Sequence, residues 1–261
     1  MLNFFRKKKN LIKKENPVFP YIEIPIVAGC NLKCNNCSYF CNYIDEVIFV
    51  KLEEFKNDIR VLTNKIRTDC IRILGGEPLL HPNISEFLIE TRKAFPETNI
   101  YLVTNGILLP KMNKEFWQTL IDYNIALDIS YYPIWGDNFK EIINLLKEHK
   151  IINYEVKDST SFYDLINIKG NSDIKKTYNN CVCKKWINLW EHKLYPCTNA
   201  FRVFYNKKFN TKLDIPKGFD IYKESGENLY KKLISEGKPS KACRFCNIYC
   251  KQDKWSKYEE I

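Results

Sequence analysis

From residue 21 to about 157, apolar residues recur with period two over short stretches and with period 3.6 over the stretches between them. Strands joined by crossover helices produce this alternation. It predicts strands at 21–27, 70–74, 100–103, 125–130 and 151–156. Phe55, Ile59, Leu62 and Ile66 recur at helical steps between them, as do Phe139, Ile142, Ile143 and Leu146, and Phe116 with Leu120 marks a third helix. A closed eight-unit barrel takes about 250 residues. This stretch therefore holds only five to six units, and the predicted fold class is α/β, a partial TIM-like (β/α) barrel. Pro25 cannot donate to a ladder, so the first strand is expected at an edge.

Beyond residue 158 the periodicity weakens into Asn, Ser, Thr, Tyr and Lys. The expected organisation is a basic tail at 1–20, the partial barrel at 21–158 and a small C-terminal domain at 159–261. In the last, 186–190 and 193–197 read as a hairpin turning at Glu191 and His192, and 229–234 as a short helix.

Composition alters this picture little. The 261 residues are 45% hydrophobic, and no run approaches a membrane span. The net charge of +10 suggests nucleic acid until it is located. Arg6, Lys7, Lys8, Lys9, Lys13 and Lys14 against Glu15 leave +5 in the first 20 residues. The rest is interspersed with acids, without the basic stripe a nucleic-acid reader needs. No apolar signal segment follows the basic residues, so a cytoplasmic, thiol-reducing location is the expectation.

Eleven Cys fall into groups. Cys30, Cys34 and Cys37 give C-x3-C-x2-C directly after the first strand, at the barrel end where βα folds place their sites. Three thiolates suit a metal with an open position or an iron-sulfur cluster with one free iron; Cys41 could complete a zinc site. Gly75-Gly76-Glu77-Pro78 follows the second strand, Asn105 the third, and Ser130 ends the fourth. A second group comprises Cys181, Cys183, Cys197, Cys243, Cys246 and Cys250. By spacing alone it suits either an iron-sulfur cluster or four-thiolate zinc. Cys70 reads as a core residue. Tyr131, Tyr132 and Trp135 could line a pocket or pack beneath the second domain. Glu155, Lys157 and Asp158 could serve acid-base chemistry or be a solvated strand end.

C-x3-C-x2-C after strand one and Gly-Gly-Glu-Pro after strand two resemble the radical S-adenosylmethionine (radical SAM) superfamily over about residues 21–157. The resemblance implies that Cys30, Cys34 and Cys37 hold a [4Fe-4S] cluster whose free iron binds the methionine moiety of S-adenosylmethionine. It implies that Gly75, Gly76, Glu77 and Pro78 meet the methionine ammonium, and that Asn105 and Ser130 contact its carboxylate or ribose. Asn36 departs from the family, which usually has an aromatic residue near adenine there; Tyr39 or Phe40 is expected to take over. Residues 181–250 are similar to SPASM and twitch auxiliary-cluster domains. That similarity implies one auxiliary [4Fe-4S] cluster drawing on Cys181 or Cys183 with Cys197, Cys243 and Cys246, and Cys181 is preferred for its ten-residue distance from the hairpin turn. His192 stands where that family usually has Gly, and is the one histidine near this centre.

The implied chemistry is reductive cleavage of S-adenosylmethionine to a 5'-deoxyadenosyl radical that abstracts a substrate hydrogen, with flavodoxin or ferredoxin as electron donor. The expected function is oxidoreductase-type: oxidation or rearrangement of a small molecule such as a sugar or cyclitol. The short segment before the barrel favours this over a peptide- or protein-modifying maturase. A non-catalytic iron-sulfur or zinc protein is the third reading, and Gly-Gly-Glu-Pro speaks against it.

Overall fold

The computed structural model describes residues 15–247 and 252–259. Cys250 and the six basic residues of the tail lie outside them. Five parallel strands, β1 (Ile22–Ala28), β2 (Cys70–Gly75), β3 (Asn99–Thr104), β4 (Ala126–Tyr131) and β5 (Tyr154–Asp158), pair in chain order. Their crossovers carry α1 (Leu52–Thr63), α2 (Ile84–Ala94), α3 (Lys114–Asp122) and α4 (Phe139–Glu148). The expected partial α/β barrel is thus present.

Strand alternation sorts the sheet into two faces. Ile22, Ile24, Ile71, Ile73, Ile100, Leu102, Leu127 and Ile129 pack against Phe55, Leu62, Phe87, Phe116 and Leu146 of the helices in one core. The opposite, inner face carries Glu23, Arg72, Tyr101, Asp128, Glu155 and Lys157, which the pairing sets in register across the strands. Helix α2 is missing from the predicted set, although Ile84, Phe87, Leu88 and Thr91 are buried along one side of it. Strand β5 starts late: Lys150 takes a left-handed turn (φ 56°) and Ile152 is 92% exposed, so the apolar pair 151–152 lies in a connection that runs to Asn153.

Strand β1 is not at an edge. Short strand β6 (Ser161–Tyr163) precedes the hairpin formed by β7 (Asn188–Trp190) and β8 (Lys193–Tyr195), and β9 (Phe219–Asp220) follows it. The sheet runs β9-β8-β7-β1-β2-β3-β4-β5, with β7 parallel to β1 through Asn188 opposite Glu23. Glu23 N donates to Ile187 O at 2.8 Å. Pro25, two residues on, faces the same flank without an N–H, and the pairing with β7 ends there. A register shift follows between Pro25 and Val27, and Ile48–Phe49 takes over that flank antiparallel. Ile187, Leu189, Leu194, Ile221 and Leu229 join the same core. The compositional change at 158 is therefore crossed by both sheet and core.

The hairpin turns where expected: Glu191 and His192 both have positive φ, 47° and 62°, the pair of left-handed residues a two-residue hairpin turn requires. The helix expected at 229–234 begins earlier, α6 (Gly226–Tyr230), and continues as a wider turn; α5 (Ile174–Asn179) and the helical segment Arg202–Lys208 precede it in this region. A last strand, β10 (Gln252–Lys254), pairs antiparallel with β6.

Candidate functional site

The cysteine loop leaves β1 at Gly29, and the Gly75-Gly76-Glu77 segment is laced to its base. Gly76 N donates to Val27 O and Glu77 N to Gly29 O, at 2.9 and 3.1 Å. A Cβ on Gly76 would lie 1.9 Å from Gly29 O and 3.0 Å from Cys30 Cβ. The glycine is thus required for backbone to pass backbone beneath the first cysteine. The Glu77 carboxylate is fully buried and points inward. It accepts from Leu79 N (3.0 Å), Thr104 Oγ1 (2.7 Å) and Asn105 N (2.8 Å). Three bonds within the chain thus hold the Glu77 carboxylate in place. Pro78, also buried, opens the single turn that follows.

Burial raises Glu77 to about 7 against its ordinary 4.5, outweighing the three donors. Between those values the folded chain holds a proton that the unfolded chain has released, so this group's contribution to stability falls as pH rises through that window. Urea unfolding of metal-free protein is expected to show the decline, and Glu77→Gln, which keeps an acceptor for Leu79 and Thr104, is expected to flatten it. Equal pH slopes in the two proteins would remove Glu77 as its source.

Each loop sulfur has N–H groups aimed at it. Leu32 N lies 3.3 Å from Cys30 Sγ, with Asn105 Nδ2 at 3.7 Å. Trp255 Nε1 lies 3.1 Å from Cys34 Sγ. Cys37 receives the Cys41 thiol and backbone N–H groups of the turn after it, which hold it down to about 7. Burial pushes Cys34 up to about 11 and Cys30 well upward, with Glu77 adding to the latter. Donors converging on sulfur are what metal-bound thiolates use, so the loop fits an iron-sulfur cluster. Cys41 acts as a donor to Cys37 and is itself buried.

Asn105 also donates to Asn31 Oδ1 at 2.7 Å, and its carbonyl accepts from Trp135 Nε1 at 3.1 Å. Tyr132 faces the same space: burial raises its hydroxyl, and the charges of Cys34, Cys37, Cys30 and Glu77 add to that. Cys30, Glu77, Asn105 and Tyr132 are thus brought together. Ser130, half-buried one step before Tyr131 on β4, makes no side-chain hydrogen bond among the described residues. The rings expected to replace the missing aromatic at Asn36 are committed elsewhere. Tyr39 packs on Phe201, and its hydroxyl bonds to Glu23 and to Asn188 Oδ1. Phe40 is 2% exposed in the same aromatic cluster as Phe201.

On the inner face, Asp128 Oδ2 accepts from both Arg72 and Lys157, and Lys157 also meets Glu155 at 2.9 Å. Lys157 and Glu155 therefore belong to the barrel interior, while Asp158 caps its own turn through Thr160 N.

Of the second group, Cys181, Cys197, Cys243 and Cys246 line one cavity. Cys183 is not on its wall; it is 1% exposed and donates to Cys181, which is held down to about 6. Cys197 is pushed up to about 12 by burial. Arg202, which the sequence pattern does not single out, is 0% exposed. Its Nη2 reaches Cys246 Sγ at 3.1 Å; its other partners are Asn199 Oδ1 and the carbonyls of Asp214, Ala242 and Phe245. Among the described residues no carboxylate balances this buried cation. His192 is not at the cavity: its Nδ1 meets Asp58 Oδ1 at 2.8 Å beside Tyr222.

Among proteins of known function, a GTP 3',8-cyclase of Clostridium acetobutylicum is 26% identical over 256 residues, covering 91% of this chain and 78% of that one. A GTP 3',8-cyclase of Helicobacter pylori is 31% identical over 121 residues, covering 45% of this chain and 37% of its own length. Among solved structures, BtrN in complex with AdoMet and 2-DOIA superposes with a TM-score of 0.55 at 18% identity, covering 89% of this chain and 94% of the other. Native anSMEcpe with bound AdoMet gives 0.55 at 16% identity, with 88% and 83% covered. At such identities these two show the shared fold. Residues 24–181 match the Radical SAM superfamily, and with the motif-bearing loops at the carboxyl ends of β1 and β2, the chain belongs to that superfamily.

Proposed function

We propose that this radical SAM enzyme oxidises or rearranges a small polyhydroxylated or amino-substituted molecule with the help of a second iron-sulfur centre. The observation that carries this reading is Arg202, a fully buried guanidinium set against Cys246 and a cavity walled by four cysteines. A buried charge needs a counter-charge, and a four-thiolate cluster is anionic. The four cysteines line one cavity with Arg202 reaching Cys246, and an anionic cluster there supplies the counter-charge.

When bound, the first cluster and S-adenosylmethionine supply the hydrogen-abstracting radical and the second centre an electron acceptor. The chain's own part is to hold and shield. Cys30, Cys34 and Cys37 would hold the first cluster; Cys181, Cys197, Cys243 and Cys246 would hold the second, with Cys183 steadying Cys181. The backbone of Gly75–Glu77 with Asn105 would orient the methionine end.

A GTP-cyclising reading is favoured by the cyclase similarity. Against it, the inner face carries two cations, Arg72 and Lys157, and three acids, Glu23, Asp128 and Glu155. A triphosphate asks for an excess of positive charge. The test incubates reconstituted enzyme, S-adenosylmethionine and reductant with carbon-deuterated cyclitols and aminocyclitols, and in parallel with ribose-deuterated GTP. Deuterium is expected in 5'-deoxyadenosine from the former; label arriving from GTP alone would overturn the proposal in favour of cyclisation.

A further inference from the structure

The far C-terminal segment reaches the first cysteine loop, although more than 200 residues separate them. Strand β10 holds it on β6, and Trp255 N continues the pairing to Thr160 O at 2.8 Å. Beyond it the segment lies along the loop: Asn35 N donates to Ser256 O (2.9 Å), Asn35 Nδ2 to Ser256 Oγ (2.8 Å), and Tyr258 N to Lys33 O (2.6 Å). This two-sided anchoring sets the Trp255 indole over Cys34, with Nε1 3.1 Å from Sγ and the ring 6.1 Å from that of Tyr132. Indole nitrogen is a donor only, so the bond has one direction, N–H to sulfur.

We propose that Trp255 is a positioning residue that sets the reduction potential of the cluster held by Cys30, Cys34 and Cys37; this rests on the ligand assignment above. A hydrogen bond to a ligating thiolate stabilises the more negative, reduced state, and burial of the sulfur under the indole limits its hydration. Hydrogen bonding to sulfur and solvent exposure are the two levers by which a protein tunes such a cluster. Cys30 and Cys37 each keep backbone donors, Leu32 N and the amides of the turn after Cys37, beside the longer Asn105 contact and the Cys41 thiol. For Cys34 the donor is the indole, so its bond can be removed singly.

The test is an EPR-monitored redox titration in the Cys243→Ala/Cys246→Ala background, where the first-loop centre is the one observed. Trp255→Phe keeps a ring and loses the N–H. Its midpoint is expected to fall, by about 59 mV for a roughly tenfold shift in a one-electron equilibrium. The midpoint of Trp255→Ala, which also admits water, is expected to fall less than that of Trp255→Phe, because hydration stabilises the more negative, reduced state. Tryptophan fluorescence gives an independent readout: cluster assembly is expected to quench the emission contributed by residue 255, a difference the Phe variant lacks. An unchanged midpoint in a fully loaded Phe variant overturns the proposal, as does reduced iron content at an unchanged midpoint, which would make Trp255 a clasp only. Failure of the background protein itself to bind iron would instead reject the three-cysteine ligand assignment.

Discussion

A variant carrying Cys30→Ala, Cys34→Ala and Cys37→Ala is expected to form no 5'-deoxyadenosine and to retain about four of roughly eight irons after anaerobic reconstitution. The effect should be total because the three sulfurs share one loop, and each has donors that would steady a bound thiolate: Leu32 N on Cys30, Trp255 on Cys34, and the Cys41 thiol with its neighbouring amides on Cys37. Removing them should leave the sheet intact. The loop base is held by Gly76 N to Val27 O and Glu77 N to Gly29 O, bonds that involve no cysteine side chain. Circular dichroism should therefore match the parent. Undiminished reductive cleavage by the triple variant would sink the assignment.

Cys243→Ala with Cys246→Ala is expected to separate cleavage from turnover. Iron should fall to about four per chain and 5'-deoxyadenosine should still form, while oxidised product drops to a trace. Hydrogen abstraction leaves an unpaired electron on the substrate, and net oxidation needs an acceptor nearby. The two sulfurs lie on the wall of the four-cysteine cavity, and Cys246 is the one that faces Arg202. Cys181→Ala should behave like the double variant. Cys183→Ala should keep its iron, because Cys183 lies off the wall and acts as a donor to Cys181. Full product formation by the double variant would reduce the second centre to a structural role, and equal iron loss in the two single variants would undo the distinction between Cys181 and Cys183.

What could be read along the chain was whatever depends on neighbours in sequence. Strand and helix periodicities located β1 to β4 within a residue or two, because a buried face repeats locally. The hairpin turn at Glu191 and His192 was legible as a break between two apolar runs. Contacts across the fold were not. Pro25 suggested an edge because its lost donor was visible, whereas the strand on the other side of β1, joined through Asn188 opposite Glu23, lies far downstream. Tyr39 and Phe40 stood near the right position for a cofactor contact, but Glu23, Asn188 and Phe201 claim Tyr39, and Phe40 is buried in the cluster that also holds Phe201. Arg202 and Trp255 carry no motif. Their importance comes from burial beside a sulfur, which only the folded chain reveals. In Arg202 the hint lay in an arginine flanked by Ala200, Phe201, Val203 and Phe204, a charge in an apolar run.

The place of β1 in the sheet also orders events during synthesis. Its partner β2 emerges soon after it, but the strand that covers its other flank begins at Asn188, about 160 residues after β1 ends, which at ribosomal speeds is roughly 8 to 32 seconds. For that interval the first strand of the growing chain presents an unfinished border to every other nascent strand in its vicinity. Pro25 withdraws a donor from that border, and the early antiparallel cover of Ile48–Phe49 shortens what remains open. A residue that looks out of place inside a finished sheet is well placed in a half-made one.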